Sequence, residues 1–175
     1  MNQRQRRQLL LVCCALAAPA IAVTGAPRAN AGQSDSNPDV NEVRQYQLTM
    51  DKAQKAAMAM QSINQLISAN PSLNAAMNAS SDSTSRVTIT QQAQNIDSKY
   101  PQLAAIIRQN GLATREFIVV TGAIINDAGW VSMKKQGMIK DYPPGMITPA
   151  NAALIEANWD AFQGISAKMA PPNTN

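Results

Sequence analysis

The stretch from Thr114 to about Lys135 constrains the fold more than any other part of the chain. It is apolar on nearly all sides, above all at residues 117–120 and 124–125. Its β-branched residues also suit a strand. The apolar run continues to Met133, however, which is too long for one strand, so the stretch predicts a helix. Because a helix that is apolar all round is normally buried, we expect this helix at the centre of the fold.

Two further long helices are marked by threonine caps. Thr49 precedes a run with apolar residues at three- and four-residue spacing, which predicts a helix over Met50 to about Ala69. Thr148 and the proline after it are a typical helix start, and this helix is predicted to end near Met169. Its polar positions 151 and 158 lie seven residues apart and would share one face.

Shorter helices are predicted between these elements. Pro71 can open one, Thr88 or Thr90 can cap another, and Pro101 begins a third that ends at Gly111. The pattern as a whole predicts an all-α fold, a compact helical bundle of four main helices plus one or two short ones.

The first 31 residues have the pattern of an export signal. Basic residues at positions 4, 6 and 7 precede an apolar segment from Leu9 to Ala22, and Ala29–Ala31 is a small-x-small cleavage site. We therefore expect a periplasmic or secreted protein with a cleavable signal peptide. The arginine pair at positions 6 and 7 fits the twin-arginine route, and an ordinary Sec signal explains the same residues.

Cleavage after residue 31 divides the chain into four parts. We predict a signal peptide over 1–31, a flexible leader over 32–47, a single helical domain over 48–170 and a disordered tail over 171–175. No segment after the signal is long and apolar enough to cross a membrane, so the mature chain is expected to lack a transmembrane segment.

Composition excludes several classes of function. Four of the fifteen basic residues precede residue 32, which leaves eleven basic and eleven acidic residues, so we expect no nucleic-acid partner. The chain has no histidine, and its cysteines, Cys13 and Cys14, both lie in the signal. Histidine- and cysteine-based catalysis and ordinary zinc sites are therefore excluded. No phosphate-binding glycine motif occurs. We expect no catalytic residues, no metal site and no cofactor.

An enzyme based on carboxylates alone is the first alternative, since glycoside hydrolysis needs only two acids. Asp127 is the best candidate because it lies on the most apolar helix, where desolvation would raise its pKa as a general acid requires. The competing interpretation is that Asp127 occupies a polar face of that helix or accepts a hydrogen bond from a neighbour.

A Cu(I) binder is the second alternative, because methionine thioethers are soft ligands. Met133, Met138 and Met146 cluster around a loop and are the freest to converge on one ion. The competing interpretation is that methionine fills gaps in an alanine-rich core.

Six polar and aromatic residues are the candidates for a binding site. A buried asparagine must be hydrogen-bonded, so these residues either fix one helix to another, which we favour, or line a small polar pocket. A stiff, aromatic loop beside them would suit recognition of a partner or ligand. The candidate residues are Asn126, Asp127, Trp130, Tyr142, Asn151 and Asn158.

Three strings resemble a recurring pattern in small exported bacterial proteins of unassigned function. They are the stretch from Pro101 to Phe117, the stretch from Leu48 to Lys52, and Thr148–Asn151 followed by Asn158. The resemblance covers most of the mature chain, implies a secreted all-helical fold and carries no activity. Together with the missing catalytic motifs, it leads us to expect a non-enzymatic binding, accessory or interaction protein of the bacterial cell envelope. Its partner would be another envelope protein or a small ligand.

Overall fold

Eight α-helices, and no strand, make up the described residues of the computed structural model, which are 37–80 and 87–170. The all-α prediction is therefore confirmed. In chain order the helices are α1 (Pro38–Gln45), α2 (Met50–Ala69), α3 (Pro71–Ser80), α4 (Ile89–Lys99), α5 (Pro101–Gln109), α6 (Thr114–Lys135), α7 (Pro149–Ala157) and α8 (Trp159–Met169).

Helix α6 is the centre of the bundle. Ten of its 22 residues are buried, and the helix contacts α1, α2, α4, α5, α7 and α8. Its buried side chains include Val120 and Ala123, both with no exposed surface, and Ile124. The prediction of a buried central helix is confirmed, because a helix apolar on most sides is stable only where neighbours cover those sides.

Helix α2 contacts both α6 and α8, and most of its buried residues are small. Ala53, Ala56 and Ala59 have no exposed surface, and Ala57 is 1% exposed. Because alanine projects little from the helix axis, the neighbouring helices can approach α2 closely.

The caps form as the sequence predicts. The hydroxyl of Thr49 accepts from the backbone N–H of Lys52, and Thr148 does the same for Asn151. Thr88 forms a capping box with Gln91 at the start of α4. Each cap satisfies a backbone donor that the helix itself leaves without a partner.

The prediction of a flexible leader over 32–47 is wrong for its second half, where α1 forms. Asn37 caps this helix and Val43 is buried against the core. The Arg115 guanidinium donates two hydrogen bonds of 2.6 Å to the carboxylate of Glu42, which fixes α1 to α6. Contacts with α6 therefore order a segment whose own composition is too polar to indicate a helix.

The prediction of one helix from Pro149 to Met169 is also wrong, because the helix breaks at Asn158. That residue has φ −123° and ψ 34°, and its side-chain amide donates to the carbonyl of Leu154. Asparagine competes in this way with the helical backbone for the same acceptor. The break separates α7 from α8 and, with α1, raises the helix count above the prediction.

The predicted signal peptide over 1–31 and the predicted tail over 171–175 lie outside the described residues. No helix in the described part of the chain combines the length and the apolar character that crossing a membrane requires.

Candidate functional site

A buried cluster of three polar side chains joins four segments of the fold. Helix α6 contributes Asn126 and Asp127, and α7 contributes Asn151. Asp127 has no exposed surface and Asn151 is 1% exposed. Buried groups of this polarity are stable only when their hydrogen bonds are formed, and the two backbone segments around the cluster supply the remaining partners.

Asn151 is the residue with most partners in the cluster. Its Nδ2 donates to Oδ2 of Asp127 at 2.6 Å and to the carbonyl of Tyr46 at 2.7 Å. Its Oδ1 accepts from the backbone N–H of Leu48 at 3.0 Å. One amide thus satisfies both a donor and an acceptor of the segment between α1 and α2 and fixes that segment against α7.

Asn126 makes the equivalent connection to the loop before α7. Its Nδ2 donates to Oδ1 of Asp127 and to the carbonyl of Met146, both at 2.7 Å. Each carboxylate oxygen of Asp127 therefore accepts from one amide, and each of those amides also holds a backbone carbonyl. The side-chain nitrogens of Asn126 and Asn151 each donate two hydrogen bonds, so neither has a free N–H.

The carboxyl group of Asp127 has a pKa raised to about 6, because burial penalises its charged form. The amide donors of Asn126 and Asn151 oppose this effect by stabilising the anion. The raised pKa is the one the sequence predicts. The described residues contain no group of three or more histidine, cysteine, aspartate or glutamate side chains that could hold a metal ion. The geometry makes the carboxylate a bridge between amides.

Tyr142 belongs to a different cluster, on the outer side of α7. Its hydroxyl donates to Oε1 of Glu156 at 2.6 Å, and Nζ of Lys134 lies 3.0 Å from the same oxygen. The ammonium group of Lys134 also lies 4.5 Å from the centre of the tyrosine ring. Burial, and then the hydrogen bond to Glu156, raise the pKa of the Tyr142 phenol. Sequence reasoning missed Lys134 and Glu156, since nothing in their local pattern indicates this partner.

The structure leaves the other two candidate residues outside the buried cluster. Trp130 is partly buried and packs against the hydrophobic core. Asn158 lies at the break between α7 and α8 and hydrogen-bonds to Leu154 of α7, so its expected alignment with Asn151 on one face is lost. Of the six candidates, three come together, and they fix helices and loops to one another.

A shallow groove follows the seam between α2 and α8, and we call it the α2–α8 groove. Its larger part has a volume of about 670 Å³, is open to solvent and is lined by Gln61, Asn64, Gln65, Ser68, Ala167 and Lys168. Its smaller part has a volume of about 300 Å³ and is lined by Gln54, Ala57, Met58, Ala161, Gly164 and Lys168. Lys168 lines both parts, so they adjoin each other at this residue.

Several polar groups of this groove are uncommitted. Within residues 37–80 and 87–170, the amides of Gln54, Gln61 and Gln65 and the ammonium of Lys168 make no hydrogen bond or ion pair. Sequence reasoning missed these residues, although a signal was present. The three glutamines are spaced by seven and four residues, which places them on one face of a helix.

No protein-family model, curated protein or solved structure matches this chain.

Proposed function

We propose that this is a non-enzymatic binding or accessory protein that is exported to the bacterial cell envelope and acts by interaction with another envelope protein. The proposal depends on a difference between the polar groups of the interior and those of the α2–α8 groove. The three polar side chains of the buried cluster form hydrogen bonds with one another and with nearby backbone groups, whereas amides and a cation without partners among the described residues line the α2–α8 groove.

The carboxyl group best suited to acid catalysis is used in the interior. A general acid must come within hydrogen-bonding reach of its substrate, and Asp127 has no exposed surface. Both of its oxygens already accept from amides. This arrangement favours a structural role for Asp127 over a hydrolase site.

The export pattern of residues 1–31 supports the proposed location in the cell envelope. The chain after residue 31 has eleven basic and eleven acidic residues, and this lack of excess positive charge supports a protein partner over a nucleic acid. The groove supplies the surface on which a partner would find unpaired hydrogen-bonding groups.

Native mass spectrometry tests the proposal, on protein recovered from the envelope fraction of its own cells after chemical cross-linking in the living cells. We expect a chain that begins at Gly32 and a cross-linked complex with a second polypeptide. The same preparation without cross-linking is the control for contacts that the reagent creates.

Each other outcome would contradict a part of the proposal. An uncleaved chain in the cytoplasmic fraction would disprove export. A chain that remains uncomplexed after cross-linking would disprove the interaction role. Bound copper would favour the methionine-based alternative over it.

A further inference from the structure

We propose that the α2–α8 groove binds an extended peptide segment of a partner protein and that Lys168 pairs with a carboxylate of that segment. This inference rests on the proposed function, for which it names the surface and the chemistry of the partner.

The length of the groove suits a short extended segment. Its lining on α2 runs from Gln54 to Ser68. Fourteen residues of helix rise by about 21 Å. A strand advances about 3.3 Å per residue, so this length accommodates roughly six residues of extended peptide.

The uncommitted amides match the backbone of such a peptide. A glutamine side chain carries both donors and an acceptor, as a peptide unit does. Gln54, Gln61 and Gln65 present these groups from one face of α2. An extended backbone has N–H and C=O groups that no helix or sheet of its own satisfies. Pairing with the three glutamines would satisfy several of them.

The smaller part of the groove offers an apolar contact. Met58 is 46% exposed there, beside Ala161 and Gly164. A Cβ atom added at Gly164 would meet nothing within 4 Å, so the space above it is open. A flexible thioether adapts to differently shaped side chains. An apolar side chain of the peptide would bury the exposed part of Met58.

Charge and composition decide between classes of partner. Lys168 is the one charged residue of the groove lining and has no anion among the described residues. A carboxylate is its complement. A single cation is too little for a nucleic acid, whose binding depends on many phosphate contacts. The lining also holds no aromatic ring, and the stacking surface that a sugar would use is therefore missing.

A selection from a library of random twelve-residue peptides displayed on phage tests this proposal, with the protein purified as its cells make it. We expect enriched peptides with an acidic residue a few positions from an apolar one. Calorimetry with the synthetic peptides then measures affinity for the wild type and for variants. Lys168→Gln should weaken binding at least fivefold. Gly164→Leu, which fills the smaller part of the groove, should weaken it at least tenfold.

Lys140→Gln is the matched control, because Lys140 is also exposed and without an ion pair in the described part of the chain but lies on the loop after α6. It should leave affinity within twofold of the wild type. Thermal melts establish that each variant is folded. Since leucine has a higher helix propensity than glycine, Gly164→Leu should fold at least as stably as the wild type.

Three outcomes would overturn the inference. The first is that the selection enriches no peptide. The second is that enriched peptides bind the two groove variants as tightly as they bind the wild type. The third is that nuclear magnetic resonance titrations show an N-acetylglucosamine trimer, and no peptide, binding at the groove. If cross-linking in cells still captures a partner in those cases, the proposed function stands and only the groove is wrong. If it captures none, the proposed function itself fails.

Discussion

Oδ2 of Asp127 and Nδ2 of Asn151 lie 2.6 Å apart and join the central helix to α7 inside the core. The same amide holds the backbone of Tyr46 and Leu48. One asparagine therefore fixes the segment between α1 and α2 against two other helices. The position of the segment between α1 and α2 relative to α6 and α7 therefore depends on this side chain.

Replacing Asn151 by alanine should destabilise the protein strongly. The change removes three hydrogen bonds and leaves the N–H of Leu48, the carbonyl of Tyr46 and one oxygen of Asp127 buried without these partners. Each unsatisfied buried group costs about 1–3 kcal/mol, so for three groups we expect a loss of at least about 3 kcal/mol in the free energy of unfolding. Urea denaturation measures it.

Asn158→Ala is the matched control for that variant. Asn158 is partly exposed, and its side-chain amide donates to one carbonyl, that of Leu154 at the end of α7. We expect a loss of less than about 1 kcal/mol. Equal effects at the two positions would show that the buried cluster contributes nothing beyond an ordinary surface hydrogen bond.

The raised pKa of Asp127 predicts that stability increases as pH falls from 7.5 to 5. In this range the folded protein, whose carboxyl has a pKa of about 6, binds more protons than the unfolded chain, in which that value is 3.8. The contribution is fully present below 3.8 and is lost as pH rises through 6. We expect a gain of about 1 kcal/mol at pH 5, measured by urea denaturation.

Other carboxylates act in the opposite direction but at lower pH. Hydrogen bonds lower the pKa of Glu116, through Lys52, and of Glu156, through Tyr142 and then Lys134. Their stabilisation is lost mainly below their unfolded value of 4.5. Because Asp127→Asn removes the carboxyl group that titrates in this range, it should abolish the gain in stability between pH 7.5 and 5. A wild type whose stability stays level or falls over this range would contradict the assignment.

The sequence was sufficient to predict the parts of the fold that depend on local chemistry. Threonine caps and the all-round apolar run define the starts of α2, α4, α6 and α7. The burial of Asp127 follows from its position within that run. The pairing of Asp127 with Asn151 was predictable only in part. A buried asparagine needs a hydrogen-bond partner, but the sequence does not show which residue that partner is.

Tertiary contacts determine what the sequence did not predict. Helix α1 has few apolar residues, and its order depends on Val43 in the core and on the ion pair of Glu42. The buried cluster also uses backbone groups, those of Tyr46, Leu48 and Met146. Every residue has such groups, so the residue types at these positions could not have indicated the contacts. The groove was predictable in principle from glutamine spacing, but exposed glutamines are ordinary on a helix.

Val43→Ala should destabilise the protein by about 1.5 kcal/mol, because two buried methyl groups are lost from a side chain that is 5% exposed. Glu42→Gln, one residue earlier, should cost less than about 1 kcal/mol, since its partner Arg115 keeps 48% of its side chain exposed. Thermal unfolding compares the two. A flexible segment would show no cost for Val43→Ala, which would contradict the docking of α1.

Two glycines should respond in opposite directions to alanine. Gly129 lies within α6, where an added Cβ meets nothing within 4 Å, so alanine should stabilise the protein by about 0.5–1 kcal/mol through its higher helix propensity. Gly111 ends α5 with φ 77°, a left-handed conformation that costs an L-residue about 1–2 kcal/mol. Gly111→Ala should therefore destabilise it by that amount. Thermal melts of both variants decide the signs, and a loss at Gly129 would mean that the space beside α6 is filled in the folded protein.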